Sequence, residues 1–138
     1  MLLVVDANEL FAAIIARGKT LNLFFDERLE LISPEFILDE FWKHKLEIEQ
    51  KSGLNEDDLF SFLLLLMPKI RFLRAIKYKE FLAEAGEISP DPNDVEYFAL
   101  ALKFNCSVWS EDKGLKRQSR IKVLPTKELV EVLSEKEE

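Results

Sequence analysis

The chain of 138 residues is 48% apolar and carries a net charge of −7, from 19 Lys and Arg against 26 Asp and Glu. This size and apolar content predict one domain, residues 1–138, that buries its own core and frays only over its last few residues. The acidic balance excludes nucleic-acid binding through overall surface charge, so any such contact has to be local or mediated by cations.

The first half of the chain alternates strand-like and helix-like segments. It begins with Leu2–Val5, a continuous apolar run typical of a strand buried on both faces. Apolar residues at helical spacing then predict a helix over 7–17, which Gly18 ends. Further along we expect a short helix over 20–27, a strand over 29–33, a long helix over 35–51 that Pro34 opens and Gly53 closes, and a helix that Asn55 caps and that runs to Leu66, before Pro68.

The second half continues the alternation. We expect a third strand over 70–73 and a helix near 78–86, and then Asp91 as an N-cap, with Pro92 following, at the start of a helix over 95–104. The remaining elements are strands over 107–110 and 122–124 and a last helix over 127–134, capped by Thr126. This order predicts an α/β fold, a three-layer α/β/α sandwich with a mainly parallel central sheet of about five strands.

Cysteine use and hydropathy predict a cytoplasmic protein without a membrane partner. The single cysteine, Cys106, lies in an apolar stretch and is interpreted as a buried, inert thiol rather than half of a disulfide. No apolar run approaches the ~20 residues that cross a bilayer, and the N-terminus lacks the basic region of a signal peptide.

Four carboxylates stand at positions that point to a site. Asp6 directly follows the first strand, Asp112 follows the fourth by two residues, Asp94 lies in the first turn of the helix that Asp91 caps, and Glu40 borders the apolar stripe of its helix. Each has an ordinary alternative: a helix cap for Asp6 and Asp94, a turn for Asp112, and a solvent-exposed rim for Glu40.

The same four positions taken together predict a cation site. The carboxyl ends of parallel strands meet at one sheet edge, where ligands bind. Carboxylates crowded there repel one another unless positive charge lies among them. Hard oxygen ligands favour Mg²⁺ or Mn²⁺, and nothing suits zinc because Cys106 and His44 stand alone. His44, one turn beyond Glu40, is interpreted as structural, with the orientation of a ligand as the alternative.

These segments resemble the PIN-domain ribonucleases, a group that includes VapC-type toxins. The resemblance spans nearly the whole chain and is carried by the segments VVDAN at 4–8, SPEFILDE at 33–40, DPND at 91–94 with ALA at 99–101, and WSED at 109–112. It implies that the strand ending at Asp6 neighbours the strand before Asp112. It also implies catalytic, metal-binding roles for Asp6, Glu40, Asp94 and Asp112, and supporting roles for Asn8, Ser110 and Asp91.

The resemblance has one departure. Where the family commonly continues with Asp and then Phe, this chain has Gly114 and Leu115, which puts an auxiliary fifth ligand in doubt. The implied activity is hydrolysis of RNA phosphodiester bonds with one or two Mg²⁺ or Mn²⁺ ions, in the toxin of a toxin–antitoxin pair. The alternatives are a PIN-like module that no longer cuts and serves binding or assembly, and a metal-dependent phosphatase.

Contacts with partners have weaker signals. The densest basic stretch directly follows Asp112 and is a candidate for gripping RNA phosphates, with a solvated loop as the alternative. Its candidate residues are Lys113, Lys116, Arg117 and Arg120. Trp42 and Trp109 have two interpretations, stacking on RNA bases or packing in a core or interface. The apolar patterns around them favour packing. The run Leu59–Met67 supplies either a homodimer surface or core.

Overall fold

A computed structural model of the chain describes residues 1–136. The predicted fraying falls on the last few residues, and of these residues 137 and 138 lie outside the described part of the chain. The described helices and strands alternate as the sequence predicts, and among residues 1–136 no helix is both long and apolar enough to span a membrane.

Five parallel strands form one sheet in the order β3-β2-β1-β4-β5. They are β1 (Leu2–Val5), β2 (Glu30–Pro34), β3 (Ile70–Leu73), β4 (Ser107–Trp109) and β5 (Val123–Leu124). The central strand β1 pairs with β2 on one side and with β4 on the other, with Val5 opposite Trp109. The five-stranded parallel sheet and the adjacency of β1 and β4 are therefore confirmed.

Within residues 1–136, eight helices complete the α/β/α sandwich. They are α1 (Ala7–Ile15), α2 (Gly18–Phe24), α3 (Ile37–Lys43), α4 (Lys45–Ser52), α5 (Glu56–Leu66), α6 (Leu82–Ile88), α7 (Val95–Phe104) and α8 (Thr126–Lys136). Helix α7 packs on β1, β2 and β4 with α6 beside it, whereas α1 contacts α2, α3, α4 and α5. Short 3-10 turns cover Met67–Lys69, Ala75–Lys77, Lys79–Phe81, Pro92–Asp94 and Lys113–Arg117.

The long helix predicted over 35–51 is wrong in two respects. Pro34 is the last residue of β2 rather than the start of a helix, and the N–H of Glu35 still donates to the carbonyl of Leu73 at 2.9 Å. The helical stretch is also divided at His44, whose φ and ψ of −102° and 11° leave the helical region. The His44 ring packs against Phe11, with 5.8 Å between ring centroids, so tertiary packing accompanies the break.

Two predicted caps are confirmed here and two are corrected. Gly18 does not end the first helix, because α1 ends at Ile15 with Ala16 as its C-cap and Gly18 begins α2. Gly53 ends α4 in the left-handed region at φ 75°, and the Asn55 side chain accepts the N–H of Asp58 at 2.8 Å. Thr126 does not cap α8 with its side chain: its hydroxyl accepts the Trp109 indole N–H at 3.1 Å, while its own backbone N–H donates to Glu111 Oε1 at 2.6 Å. Glu111 therefore binds the start of α8.

Substitutions of two glycines test the backbone conformations described above. Gly53→Ala should lower the free energy of unfolding by about 1 kcal/mol, because a Cβ is strained at positive φ. Gly86→Ala should raise it by about 0.5–1 kcal/mol, since Gly86 lies inside α6 with nothing within 4 Å of an added Cβ. Urea unfolding followed by circular dichroism measures both, and changes of the same sign would contradict this assignment.

Candidate active site

Asp6 is held at the carboxyl end of the central strand with only 5% of its surface exposed. Its Oδ2 accepts the Ser110 hydroxyl at 2.6 Å, and its Oδ1 accepts the backbone N–H of Asn8 at 3.2 Å as the N-cap of α1. Ser110 Oγ in turn accepts the N–H of Asp112 at 3.0 Å. Burial, with a contribution from the charge of Asp112, raises the pKa of Asp6, and the hydrogen bonds oppose that rise.

Tyr97 is a second support for Asp6 and was missed in the sequence. Its hydroxyl accepts the N–H of Ala7 at 3.1 Å, and the phenol lies near enough to Asp6 to lower the pKa of that carboxyl. Burial and the charge of Asp6 raise the pKa of Tyr97 above its usual value, so the phenol keeps its proton. Its place three residues after Asp94 on the buried face of α7 was the available signal.

Three of the four predicted acids line one open pocket at this edge of the sheet. The pocket is bounded by Asp6, Glu40 and Asp94, and Asn8 also lines it. Burial raises the pKa of Asp94 to about 6, with further contributions from the charges of Asp6, Asp91 and Asp112. Among residues 1–136, no Lys or Arg forms an ion pair with Asp6 or Asp94. Among the described residues, Lys43 is the one Lys or Arg that lines the pocket, against the carboxyl groups of Asp6, Glu40, Asp94 and Glu96, so acidic groups are in excess there.

Asp112 and Glu40 are turned toward other partners. Asp112 Oδ1 accepts the N–H of Gly114 at 2.8 Å and caps the 3-10 turn, and its side chain lines a neighbouring cavity with Lys113. Glu40 Oε2 lies 3.5 Å from His44 Nε2. Within the described part of the chain, no three His, Cys, Asp or Glu side chains are arranged to hold a metal ion. The acids share an edge and an electrostatic field, without forming a closed ligand set.

The remaining candidates divide between local structure and exposed surface. Asp91 accepts the N–H of Asn93 at 2.8 Å, which is the predicted cap. Trp109 is fully buried, 5.1 Å from the Phe24 ring centroid, which excludes base stacking. Trp42 is 50% exposed, so core packing is wrong for it. Cys106 is half-buried, and burial raises the pKa of its thiol to about 11.

Half of the predicted RNA-binding cations are engaged within the protein. Lys116 Nζ lies 2.7 Å from Glu128 and Arg120 lies 3.6 Å from Glu84. Lys113 and Arg117 form no ion pair with the described residues and flank the short turn after Asp112. These two remain the available cations of that stretch.

Glu9 is the acid that the sequence concealed. It lies in the first turn of α1, where a solvated acid is ordinary, yet it is 1% exposed and neither carboxyl oxygen has a hydrogen-bond partner. The Glu111 amide and Thr126 hydroxyl are near it but do not form hydrogen bonds of standard geometry. Burial, then the charges of Glu111 and Asp6, raises its pKa to about 8. Its spacing of four from buried Ala13 was the available signal.

Comparisons with known proteins agree with this architecture. A family model of the PIN domain matches residues 4–132. No curated protein sequence matches the chain. Among solved structures, the chain is similar to one in the crystal structure of VapBC2 from Rickettsia felis bound to a DNA fragment from their promoter. The TM-score is 0.63 and the identity is 14%, over 91% of this chain and 98% of that one.

Glu9 makes stability depend on pH. Its carboxyl is protonated in the folded chain up to about pH 8, whereas in the unfolded chain it ionises near 4.5. The folded state therefore loses stability as pH rises between these values, by about 1.4 kcal/mol per unit at most. Glu9→Gln should remove this loss and become stabilising relative to wild type at about pH 8.5 but not at about pH 5.

Urea unfolding at the two pH values measures the effect. The exposed Glu27, changed to Gln, is the matched control and should show no such pH-dependent gain. A Glu9→Gln variant whose difference from wild type is the same at both pH values would refute the buried, protonated carboxyl.

Proposed function

This chain belongs to the PIN-domain family, and we propose that it is a Mg²⁺- or Mn²⁺-dependent endoribonuclease. Proteins of this family are generally nucleases. The observation that carries the proposal is the pocket shared by Asp6, Glu40 and Asp94, in which carboxylates outnumber the one Lys or Arg of the described residues that lines it, Lys43. Burial and the neighbouring carboxylates raise the pKa of Asp94 there. Such a pocket repels a phosphate unless a cation accompanies the substrate.

The donor chemistry of the pocket fits a hard divalent cation. Carboxylate oxygens are the ligands that Mg²⁺ and Mn²⁺ prefer, and the residues proposed to hold one or two ions are Asp6, Glu40, Asp94 and Asp112. To join the set, Asp112 would release the Gly114 amide and Glu40 would turn from His44. A bound ion would neutralise the scissile phosphate and lower the pKa of an attacking water.

The chain's own residues prepare Asp6 for this role. Ser110 and the Asn8 amide donate hydrogen bonds to its carboxylate, which fixes its orientation, and the Tyr97 phenol lies nearby. They also favour the ionised form that a metal requires, against the opposing effect of burial. We assign Ser110 and Tyr97 as positioning residues and Asp6 as the central ligand.

The biological setting proposed is that of a cytoplasmic toxin held by an antitoxin, as in the VapC-type toxins that the sequence resembles. A similar fold occurs in the VapBC2 complex. The antitoxin would cover the pocket or its rim, because an inhibitor of a nuclease acts by excluding the substrate. Lys113 and Arg117 are the cations of the predicted basic stretch that are available to RNA.

A binding or assembly module that no longer cuts is the second candidate. The observation that favours it is that the described acids do not form a metal ligand set, together with glycine at position 114. Calorimetry with Mn²⁺ separates the two, since a module without catalysis should show no binding that depends on the carboxylates. Hydrolysis of small phosphate esters with RNA left intact would instead indicate a phosphatase.

The nuclease proposal predicts loss of activity in carboxylate variants. Asp6→Asn, Glu40→Gln and Asp112→Asn should each reduce Mn²⁺-dependent RNA cleavage by about 100-fold or more, since each removes a charge needed to hold the ion. Asp39→Asn is the matched control, because Asp39 adjoins Glu40 on α3 but is exposed and lies outside the pocket.

Circular dichroism should show that the variants fold, and cleavage of a fluorescent RNA measures the rates. Wild-type activity in folded Asp6→Asn or Asp112→Asn would count decisively against the proposal. Activity that survives removal of divalent ions by EDTA would do the same.

A homodimer through α3 and α5 is the partner arrangement we propose. Helix α5 divides its apolar residues, with Leu59 and Leu63 in the core but Phe60 and Leu64 exposed at 44% and 57%. The Phe60 ring lies 5.8 Å from the half-exposed ring of Trp42. An exposed apolar surface of this kind is typical of protein–protein contacts.

Sedimentation velocity tests the dimer. Phe60→Glu should convert a wild-type dimer into a monomer, because burying an unpaired charge at an interface is unfavourable. Ile76→Glu, at a residue 60% exposed on another element, is the control and should leave the dimer intact. A wild-type chain that sediments as a monomer would overturn this arrangement.

A further inference from the structure

A second group of cations lies at the carboxyl edge of the sheet, on the side opposite to Lys113 and Arg117. Residues 59–79 contain no Asp or Glu and five cations, Lys69, Arg71, Arg74, Lys77 and Lys79. The segment runs through the edge strand β3 and the turn Ala75–Lys77 that follows it. In the strand order, β3 lies two strands from β1 on one side, and β4 lies next to β1 on the other. The residues after β3 and the residues after β4 therefore lie on opposite sides of Asp6, at the carboxyl ends of the strands.

The cations of this segment divide into two groups by their contacts. Lys69 and Arg71 pack over the rings of Phe25 and Phe104, each 5.5 Å from a ring centroid. A cation on an edge strand protects it against pairing with other chains, which accounts for Arg71, and Lys69 lies directly before the strand, away from its carboxyl end. Arg74 and Lys77 come after the strand has ended, so protection of the edge does not account for them.

Arg74 and Lys77 are exposed cations that acidic side chains of the described residues neutralise little. The Arg74 side chain is 80% exposed, and its Nε lies at 4.0 Å from Glu35, the outer limit of an ion pair. Lys77 is exposed and has no ion-pair partner among the described residues. The nearby acid Glu80 is paired instead with Lys103, whose Nζ lies 3.4 Å away.

This group is connected to the acidic pocket by direct contacts. The N–H of Glu35 donates to the Leu73 carbonyl at 2.9 Å, and the next residue, Phe36, lines the pocket. On the other side, the Tyr78 hydroxyl donates to Glu96 at 2.6 Å, and Glu96 also lines the pocket. The residues that adjoin Arg74 and Lys77 in sequence, Leu73 and Tyr78, are therefore joined by hydrogen bonds to the segments that line the pocket.

We propose that the substrate is single-stranded RNA lying across the carboxyl edge of the sheet, at right angles to the strands, with its phosphates bound on both sides of the acidic pocket. Arg74 and Lys77 bind it on the β3 side, and Lys113 and Arg117 bind it on the β4 side. This assignment rests on the proposed ribonuclease function and adds the path of the substrate. Strands are about 4.8 Å apart, so the path covers only a few nucleotides.

The arrangement also accounts for how an acidic protein binds RNA. Affinity for nucleic acid comes from local neutralisation of phosphates rather than from net charge, and each contact releases counterions. Cations placed on two flanks attract the phosphates on either side of the scissile bond, while the pocket between them accepts a phosphate only together with a metal ion. The −7 net charge is then compatible with a specific path.

The test is the salt dependence of RNA binding by a double variant, Arg74→Gln with Lys77→Gln. For single strands the slope of log affinity against log salt is about −0.7 per phosphate contact, so the variant should lose about 1.4 of slope and about tenfold or more in affinity. The matched control is Lys19→Gln with Lys69→Gln, which changes the net charge equally but in the first turn of α2 and directly before β3.

Fluorescence anisotropy of labelled oligouridine, in Ca²⁺ and over a KCl series, measures the slopes, and Mn²⁺-dependent cleavage is measured in parallel. A reduced slope in the double variant and an unchanged slope in the control support the path. A wild-type slope in the double variant, or an equal loss of slope in the control, overturns the proposed path. If the wild-type chain still cleaves RNA in that case, the ribonuclease proposal stands. A wild-type chain that neither binds nor cleaves RNA overturns both.

Discussion

The structure depends on a buried carboxylate at the junction of two parallel strands. The ladder between β1 and β4 continues one residue beyond the strand, where the N–H of Asp6 donates to the Trp109 carbonyl at 3.2 Å. That bond fixes the Asp6 backbone beside Ser110, which then reaches the carboxylate at 2.6 Å. Because an unpaired buried charge is costly, the hydrogen bonds from Ser110 and Asn8 are what allow Asp6 to stay at the centre of the sheet.

The charge of Asp6 also affects the pKa values of the other acids at this edge. Asp94 and Glu9 both lie within its field, and both have raised pKa values, about 6 and about 8. Burial and this repulsion together keep a proton on Glu9 at neutral pH, whereas Asp94 keeps its proton only below about pH 6. A divalent ion would replace those protons, so metal binding at this edge is expected to release protons and to strengthen as pH rises.

Much of this arrangement follows from local sequence, and the rest requires tertiary contacts. The strand ending at Asp6 and the cap at Asn55 are visible because they depend on short apolar runs and on turn chemistry. Glu9 carries the same local signal as any acid in a first helical turn. Only the approach of Glu111 and the start of α8 buries it. Likewise, the interruption of the helix at His44 accompanies packing against Phe11, which is distant in sequence.

The absence of an acid at position 114 and the orientation of Asp112 away from the pocket have one local cause. A Cβ added at Gly114 would lie 3.0 Å from Asp112 Oδ1, so glycine gives the Asp112 side chain room to fold back onto the Gly114 amide. An aspartate at 114, as in the pattern that the sequence resembles, would crowd that conformation and favour rotation of Asp112 away from the turn. The chain therefore exchanges an auxiliary carboxylate for a capped turn, and Asp112 has to break a 2.8 Å hydrogen bond before it can serve as a ligand. That cost is about 0.5–1.5 kcal/mol for an exposed bond, which is small beside the attraction between a divalent ion and three neighbouring carboxylates.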